Sequence, residues 1–413
     1  MHIVLLTDKI PQAQHTIRAA NIVFYELINS FAKLECIKLT VFFATKELWG
    51  EEEIKNIELL RTHFPNVEFV EPIYLKTPRR KLFDIILDWE RFAYPDVFHR
   101  RSIYKLIDRI SPDGIVVPWS EWLTAVMAAY PANKLAYYGN PDFKPIFAQN
   151  LFSISFSQRI KNYLVGFITK TVHLSISKDY EVWCNVALND AKLYQKLGHT
   201  NAHYLPNTWI ERSLGGGPQP AYQVPQLSSD ELQVVVNIGS LNATANRLGM
   251  RIFIQEFYNH YLELKGEKTI KFLVCGAGRL DGEYANDFVK PDIKVLGFVE
   301  DIDSLIRSSS AVLCLNNASP YKVGHTRFLH AWSLKRPIVV HQDAKLSMPE
   351  IEDGFNAVVG SNVKQIVIKL LAIVDDKREL SRLGRNGYNT FKKKFSPDDI
   401  SLKMVSLLKD LKK

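Results

Sequence analysis

The stretch that decides the fold is residues 311–341, AVLCLNNASPYKVGHTRFLHAWSLKRPIVVH. Two short, continuously apolar runs, AVLCL (311–315) and PIVVH (337–341), flank a polar loop and a helical segment. Runs of that kind read as strands buried on both faces, and strands joined through a helix pair in parallel. Gly324 stands where the loop meets the helix, followed by His325, Thr326 and Arg327 in the expected first turn. Glycine permits close backbone approach. Free amides, the positive end of the helix dipole and a guanidinium would converge there, and a diphosphate is the natural occupant of such a spot. The alternative is an ordinary capped helix with a solvated arginine. His330 lies one turn further along, and Trp332 is expected in the core.

Outward from this unit the same alternation fills the chain. In the first half the expected strands are HIVLLT (2–7), KLTVFFA (38–44), VEFVEP (67–72), DGIVVP (113–118), KLAYY (134–138), VHLSIS (172–177) and AHYLP (202–206). Helix-length segments separate most of them, the first over 16–34. Residues 207–231, rich in glycine, proline and serine, break the pattern and read as a linker. It restarts with LQVVVNIG (232–239), a helix over 247–265, IKFLVC (270–275), IKVLGF (293–298), the opening stretch and NAVVG (356–360). Residues 362–412 are expected to be helical, with Pro397 starting a last amphipathic helix. The expectation is an α/β chain of two Rossmann-like, doubly wound parallel-sheet domains facing across a cleft. The boundaries are 1–207, a linker at 208–231, 232–395, and a terminal helix at 396–413 packing back on the first domain.

Composition bounds the function. At 413 residues the chain is long for one core, and 46% hydrophobic with 23% charged residues is an ordinary globular balance. The four cysteines, Cys36, Cys184, Cys275 and Cys314, have no metal-type spacing and read as thiols in a reducing compartment. The apolar run at the N-terminus is too short for a signal peptide, and no run approaches a membrane span, so a cytoplasmic location is expected. The net charge of +8 suits an anionic membrane or phosphorylated ligands, and no nucleic-acid motif accompanies it. CGAGRL (275–280) lacks the G-x-G-x-x-G spacing, and the first strand–helix turn has no glycine, which disfavours hydride chemistry. Gly239 and the small polar loop Ser240–Asn246, ahead of a helix near Arg247, form a second candidate anion site through free backbone amides.

These segments resemble the two-domain GT-B glycosyltransferases that use nucleotide-sugar donors, in particular the retaining group 1 family. The resemblance runs over most of the chain and is strongest from Gly239 to Val359 and in LSRLGRNGYNTFKKKFSPDDIS (380–401). HYLPNTW (203–209) resembles the family's interdomain crossing. LGFVEDIDSLIRSSSAVLCL (296–315) and RPIVVHQDAKLSMPEIEDGFNAVVG (336–360) resemble the segments on either side of its donor loop. The family's pair of glutamates, with seven residues between them, is replaced here by Lys322 and His330.

The resemblance implies a nucleotide-diphosphate sugar as co-substrate and no metal or other cofactor. It implies donor contacts from Gly239, Asn242, Arg247, Gly297, Phe298, Val299, Gly324, His325, Thr326 and Arg327, with His330 hydrogen-bonding hydroxyls in place of the second glutamate. The acceptor, a glycan or lipid-linked molecule, would sit in the first domain, where His15, Glu121 and Asp142 are the candidate catalytic residues. The basic-aromatic segment 156–170 and KTPRRK (76–81) are candidates for peripheral contact with an anionic membrane. A nucleotide-sugar 2-epimerase and a non-catalytic sugar-nucleotide binder share the fold and stay open at this point.

Overall fold

The computed structural model describes residues 1–12, 19–78, 84–152, 154–212, 232–280, 282, 284–324 and 326–411. The chain divides into two compact units, Met1–Pro206 with Pro397–Lys413, and Asn207–Ser396.

The first unit is built on eight strands: β1 His2–Thr7, β2 Lys38–Thr45, β3 Glu68–Phe69, β4 Ile73–Tyr74, β5 Gly114–Pro118, β6 Lys134–Tyr138, β7 Val182–Asn185 and β8 Ala202–Tyr204. They pair in parallel in the order β3-β2-β1-β5-β6-β7-β8, with β4 also on β2. Five central residues of β1 and all of β5 are buried, as a sheet covered on both faces requires. The terminal helix Pro397–Asp410 belongs to this unit. Ser30 Oγ donates to Asp398 Oδ1 at 2.7 Å, and Leu408 is buried beside Gly114.

One expected strand is a helix. VHLSIS (172–177) lies in Phe156–Lys178, a single helix of 23 residues, and the strand at that point of the sheet is β7 instead. The β-branched run looked extended, but the buried positions Asn162, Gly166, Thr169, Val172, His173 and Ile176 recur at three and four residues. The Ser155 hydroxyl accepts the Gln158 amide and caps the helix start. β7 escaped notice because only four residues of it are extended.

The second unit holds six strands: β9 Leu232–Val236, β10 Ile270–Cys275, β11 Ile293–Gly297, β12 Ala311–Cys314, β13 Ile338–His341 and β14 Ala357–Gly360. Their order is β11-β10-β9-β12-β13-β14, all parallel. The strand order reverses between β9 and β12, the place where open α/β sheets bind ligands. Helix Thr326–Ser333 carries the β12–β13 crossover, and Trp332 is fully buried with its indole N–H on the Asn356 carbonyl at 3.1 Å. Burial of a side chain that size contributes roughly 2–3 kcal/mol. Cys184, Cys275 and Cys314 are buried free thiols, and Cys36 is free and exposed.

Candidate active site

In the second unit the loops after β9 and β12 meet at the switch point. β9 ends in Asn237 and Gly239, both with positive φ (64° and 108°), which turns the chain off the sheet. Gly276 follows β10 with φ 146°, and a Cβ there would lie 1.9 Å from the Gly239 carbonyl oxygen. Two backbones therefore touch, and only glycine fits. The expected amide nest at Ser240–Asn246 is not open. Leu241 N–H donates to the Ala277 carbonyl (2.8 Å), Asn242 N–H to Ser240 Oγ (3.3 Å) and Ala243 N–H to the Ser240 carbonyl (3.3 Å). The loop closes on itself because its small polar residues satisfy their own backbone. Asn242 is exposed, beside Gly278.

Arg327 ties the two loops together. Its Nη1 donates to Asn237 Oδ1 at 2.7 Å and its Nη2 to Asn246 Oδ1 at 2.5 Å. Asn237 Nδ2 donates on to the Cys275 carbonyl, and Asn246 Oδ1 also accepts from Asn316 Nδ2. The guanidinium fork thus fixes the start of helix Thr326–Ser333 against the loop after β9. Among the described residues, no acceptor takes the amides of Gly324 and Thr326. His325 lies outside the described residues. Arg247 is half-buried on helix Thr244–Ile252. Gly297 ends β11 with φ 67°, and Phe298 after it is 60% exposed, an apolar ring open to solvent beside half-buried Val299.

The two basic residues in place of the glutamate pair are both engaged. Lys322 Nζ donates to the Asn317 carbonyl (2.7 Å) and pairs with Asp343 Oδ2 (2.5 Å). His330 does not present an open ring. It is 5% exposed, packs against Trp209 with centroids 5.5 Å apart, and its Nε2 lies 2.6 Å from Asp303 Oδ1. Arg212 Nη1 donates to the other Asp303 oxygen at 2.8 Å. Burial alone would raise the Asp303 pKa, but His330 and Arg212 hold it well below the ordinary carboxylate range. Burial, helped by the nearby charges of Arg212 and Arg307, lowers the His330 pKa below its ordinary value despite the pull of Asp303. The ring is therefore read as a neutral donor to an ionised carboxylate.

In the first unit a cavity of 490 Å³ opens at the carboxyl ends of β2, β5 and β6. Lys46, Tyr94, Asp96, Glu121, Trp122 and Asp142 are among the residues lining it. It therefore brings together two of the three expected catalytic residues, Glu121 and Asp142. His15 lies outside the described residues. Asp142 is fixed from below: Tyr138 Oη donates to its Oδ1 at 2.6 Å and Tyr94 Oη to its Oδ2. His173 Nδ1 stands 3.1 Å from the Tyr94 hydroxyl, and His173 Nε2 stands 2.5 Å from Tyr194 Oη. Desolvation by the recess walls, then the Asp142 charge, raise the Glu121 pKa above the ordinary value. Asp96 is 2% exposed, pairs with Lys46 at 2.5 Å, and its Oδ1 has no partner among the described residues. A carboxyl held neutral or poised beside a fixed carboxylate can take or give a proton. Lys46, Tyr94, Asp96 and His173 were not singled out from sequence. Lys46 follows directly on β2, and that position at a strand end was the available signal.

Residues 233–376 match the family model described as glycosyl transferases group 1. A search of curated protein sequences finds no match. Among solved structures, the chain is similar over its whole length to HepE of Anabaena in complex with UDP and glucose, at TM-score 0.61 and 13% identity over 98% of this chain and 99% of that one. It is likewise similar to sucrose-phosphate synthase from Thermosynechococcus elongatus (TM-score 0.62, 13% identity, 99% and 98% covered). TarM gives TM-score 0.63 at 10% identity, with 98% of each chain covered. At these identities the likeness shows the fold, the two-domain GT-B arrangement of parallel α/β sheets.

Proposed function

We propose, from the premise that residues 233–376 form a group 1 glycosyl transferase domain, that the chain is a hexosyl-type glycosyltransferase using a nucleotide-diphosphate sugar. The transfer proceeds with retention to a glycan or lipid-linked acceptor, in cytoplasmic synthesis of a surface polysaccharide or glycolipid. What supports the reading is the switch point of the second sheet, where Gly239 and Gly276 bring the loops after β9 and β10 together and, among the described residues, no acceptor takes the amides of Gly324 and Thr326, which are left for a diphosphate. HepE and a TarM variant hold UDP in their solved structures, which makes UDP-sugars the first donors to test.

In this reading the amides at Gly324–Thr326 and the charge of Arg247 stabilise the departing diphosphate, and Phe298 borders the base. Glu121 and Asp142 orient the acceptor hydroxyls in the cavity of the first unit and supply its polar contacts. In retention, the leaving phosphate itself can receive the acceptor proton on the same face of the sugar, so no obligate protein base is needed.

The test is to incubate the purified chain with a panel of UDP-, GDP- and ADP-sugars and follow release of nucleoside diphosphate. Slow hydrolysis to nucleotide and free sugar, accelerated by a competent acceptor, supports transfer. Interconversion of two nucleotide sugars would make it an epimerase. One observation favours a second reading: Lys322 is held in an ion pair with Asp343, and the His330 ring is held by a hydrogen bond to Asp303. Tight nucleotide-sugar binding with no turnover of any donor would make the chain a non-catalytic binder.

A further inference from the structure

Helix Phe156–Lys178 of the first unit turns an apolar stripe outward. Phe156, Ile160, Tyr163, Leu164 and Phe167 recur at three and four residues and are all exposed, Phe156 at 79% and Phe167 at 56%. The buried residues of the same helix occupy the opposite face, so the stripe is not core left showing at an edge. A second element extends it. The helix Trp89–Ala93 packs alongside, Trp89 is exposed, and its ring meets Phe167 edge-on at 6.1 Å. Ile86 and Leu87, three and two residues before Trp89, are exposed at 76% and 69%. Soluble surfaces scatter single apolar residues; they rarely line them up across two helices.

The charge on the stripe's own helix has one sign. From Phe143 through Lys178 the sequence contains no aspartate or glutamate, while Arg159, Lys161, Lys170 and Lys178 lie on this helix. By helical spacing Arg159 and Lys170 flank one side of the stripe and Lys161 the other. Of the acids beside Trp89, Glu90 pairs with Arg100, while Asp88 caps the Arg91 amide and stays an exposed charge, outnumbered by the basic residues. Arg91 beside them is exposed and basic. Aromatic and aliphatic rings facing out between long basic side chains are what a helix lying in a bilayer interface needs, the rings entering the acyl boundary and the cations reaching the headgroups. Among the described residues no helix is long and apolar enough to cross a membrane, so this one would lie on the surface.

We propose that helix Phe156–Lys178, with Trp89 and the Ile86–Leu87 pair, docks the first unit onto an anionic bilayer surface. The inference concerns binding alone and stands independently of the transferase reading. KTPRRK adds no structural argument, because residues 79–83 lie outside the described residues.

The test is flotation of the full chain with vesicles of phosphatidylcholine alone and with phosphatidylglycerol added, at low and high salt. The chain is expected to float with the anionic vesicles, more weakly with neutral ones, and to be released by salt. Phe156→Ser with Phe167→Ser should remove flotation. Arg159→Glu with Lys161→Glu should cut it at least about tenfold on anionic vesicles, since each basic side chain near such a surface is worth roughly a fivefold change in partition. All four positions are exposed, so unchanged circular dichroism and melting temperature are expected and show that the fold is kept. The proposal is overturned if the wild-type chain stays at the bottom of the gradient with anionic vesicles at low salt, or if either double variant floats as well as wild type. It is equally overturned if sedimentation finds a stable dimer that Phe156→Ser with Phe167→Ser dissociates, because the stripe would then be covered by a second copy.

Discussion

The substitution Arg327→Ala separates two roles that one guanidinium can hold. In the structure its Nη1 and Nη2 bridge Asn237 and Asn246, residues that are 1% and 2% exposed. Removing the side chain leaves Asn237 Oδ1 buried with no donor, which costs about 1–3 kcal/mol. Asn246 Oδ1 keeps Asn316 Nδ2 at 2.8 Å, so the lost charge-assisted bond there counts at the lower end, about 1–2 kcal/mol. The sum is about 3 kcal/mol in a unit running from residue 207 to 396. For a domain of that size each kcal/mol shifts the melting temperature by about 2–4 °C, so a drop of about 10 °C is expected. Arg327→Lys should lose most of the same stability, because a single nitrogen cannot reproduce the separate, fixed positions of Nη1 and Nη2. In the double variant Arg327→Ala with Asn237→Ala the losses should fall short of additivity by about 1–2 kcal/mol. The assay is thermal unfolding of wild type, Arg327→Ala, Arg327→Lys, Asn237→Ala and the double variant, run beside calorimetric titration with UDP and uridine. Arg327→Ala should weaken UDP more than uridine, since the loops it ties together frame the diphosphate spot. An unchanged melting temperature in Arg327→Ala would refute the bridging argument outright. Equal weakening of UDP and uridine would separate Arg327 from the diphosphate.

Gly276→Ala places a Cβ 1.9 Å from the Gly239 carbonyl oxygen at a φ of 146°, so the two loops must part; UDP affinity should fall at least about tenfold, while Gly282→Ala, with open space around it, should leave affinity unchanged. Glu121→Gln should raise the acceptor KM about tenfold with nucleotide affinity unchanged, and should remove the acid-side rise of that KM, which begins above the ordinary carboxylate value of about 4.3 because desolvation by the cavity walls and the Asp142 charge raise the Glu121 pKa. For the His330–Asp303 pair, both folded-state pKa values lie below the ordinary ones. The unfolded chain therefore binds protons first on acidification, and the second unit should lose stability as pH falls below about 6.5, a slope that His330→Gln should flatten in melts taken between pH 7.5 and 5.5. Tyr94→Phe removes one donor to Asp142 while Tyr138 keeps the other, so it should alter acceptor KM more than nucleotide affinity, read from initial rates at varied acceptor.

The alternation of short apolar runs with helix-length segments was enough to read two parallel sheets, because a strand covered on both faces must be apolar throughout. The same rule misled at 172–177. A buried helix carrying Thr171, Val172 and Ile176 satisfies the apolar count of a strand, and only its N-terminal continuation, with the Ser155 cap and a stripe back to Asn162, gives it away. Length arbitrates such cases better than composition. The exposed stripe on that helix was legible as a mixture of basic and apolar residues. That Trp89, some seventy residues earlier, lies against it was not, since nothing local in the sequence encodes a contact between helices.

The site divides in the same way. Positions fixed by the local chain, Gly239 after β9, Gly324 before its helix, and Glu121 and Asp142 past β5 and β6, could be read from strand ends alone. What each group does depends on partners the sequence does not place. Arg327 read as a free charge for a phosphate, yet Asn237 and Asn246 claim two of its donors from 90 and 81 residues away. Lys322 and His330 read as losses of two carboxylates. In the fold each basic residue faces an acid supplied by a neighbouring segment, Asp343 after β13 and Asp303 in helix Ile302–Ser308. A carboxylate therefore stands beside each position, but a cation balances each, Lys322 at Asp343 and Arg212 at Asp303. For Lys322 that exchange leaves a half-buried Asp343 carboxylate beside the switch-point loops, whereas for His330 the pair closes under Trp209. The two replacements are thus not equivalent: the first keeps a carboxylate that solvent can reach, and the second converts a polar position into a sealed structural pair.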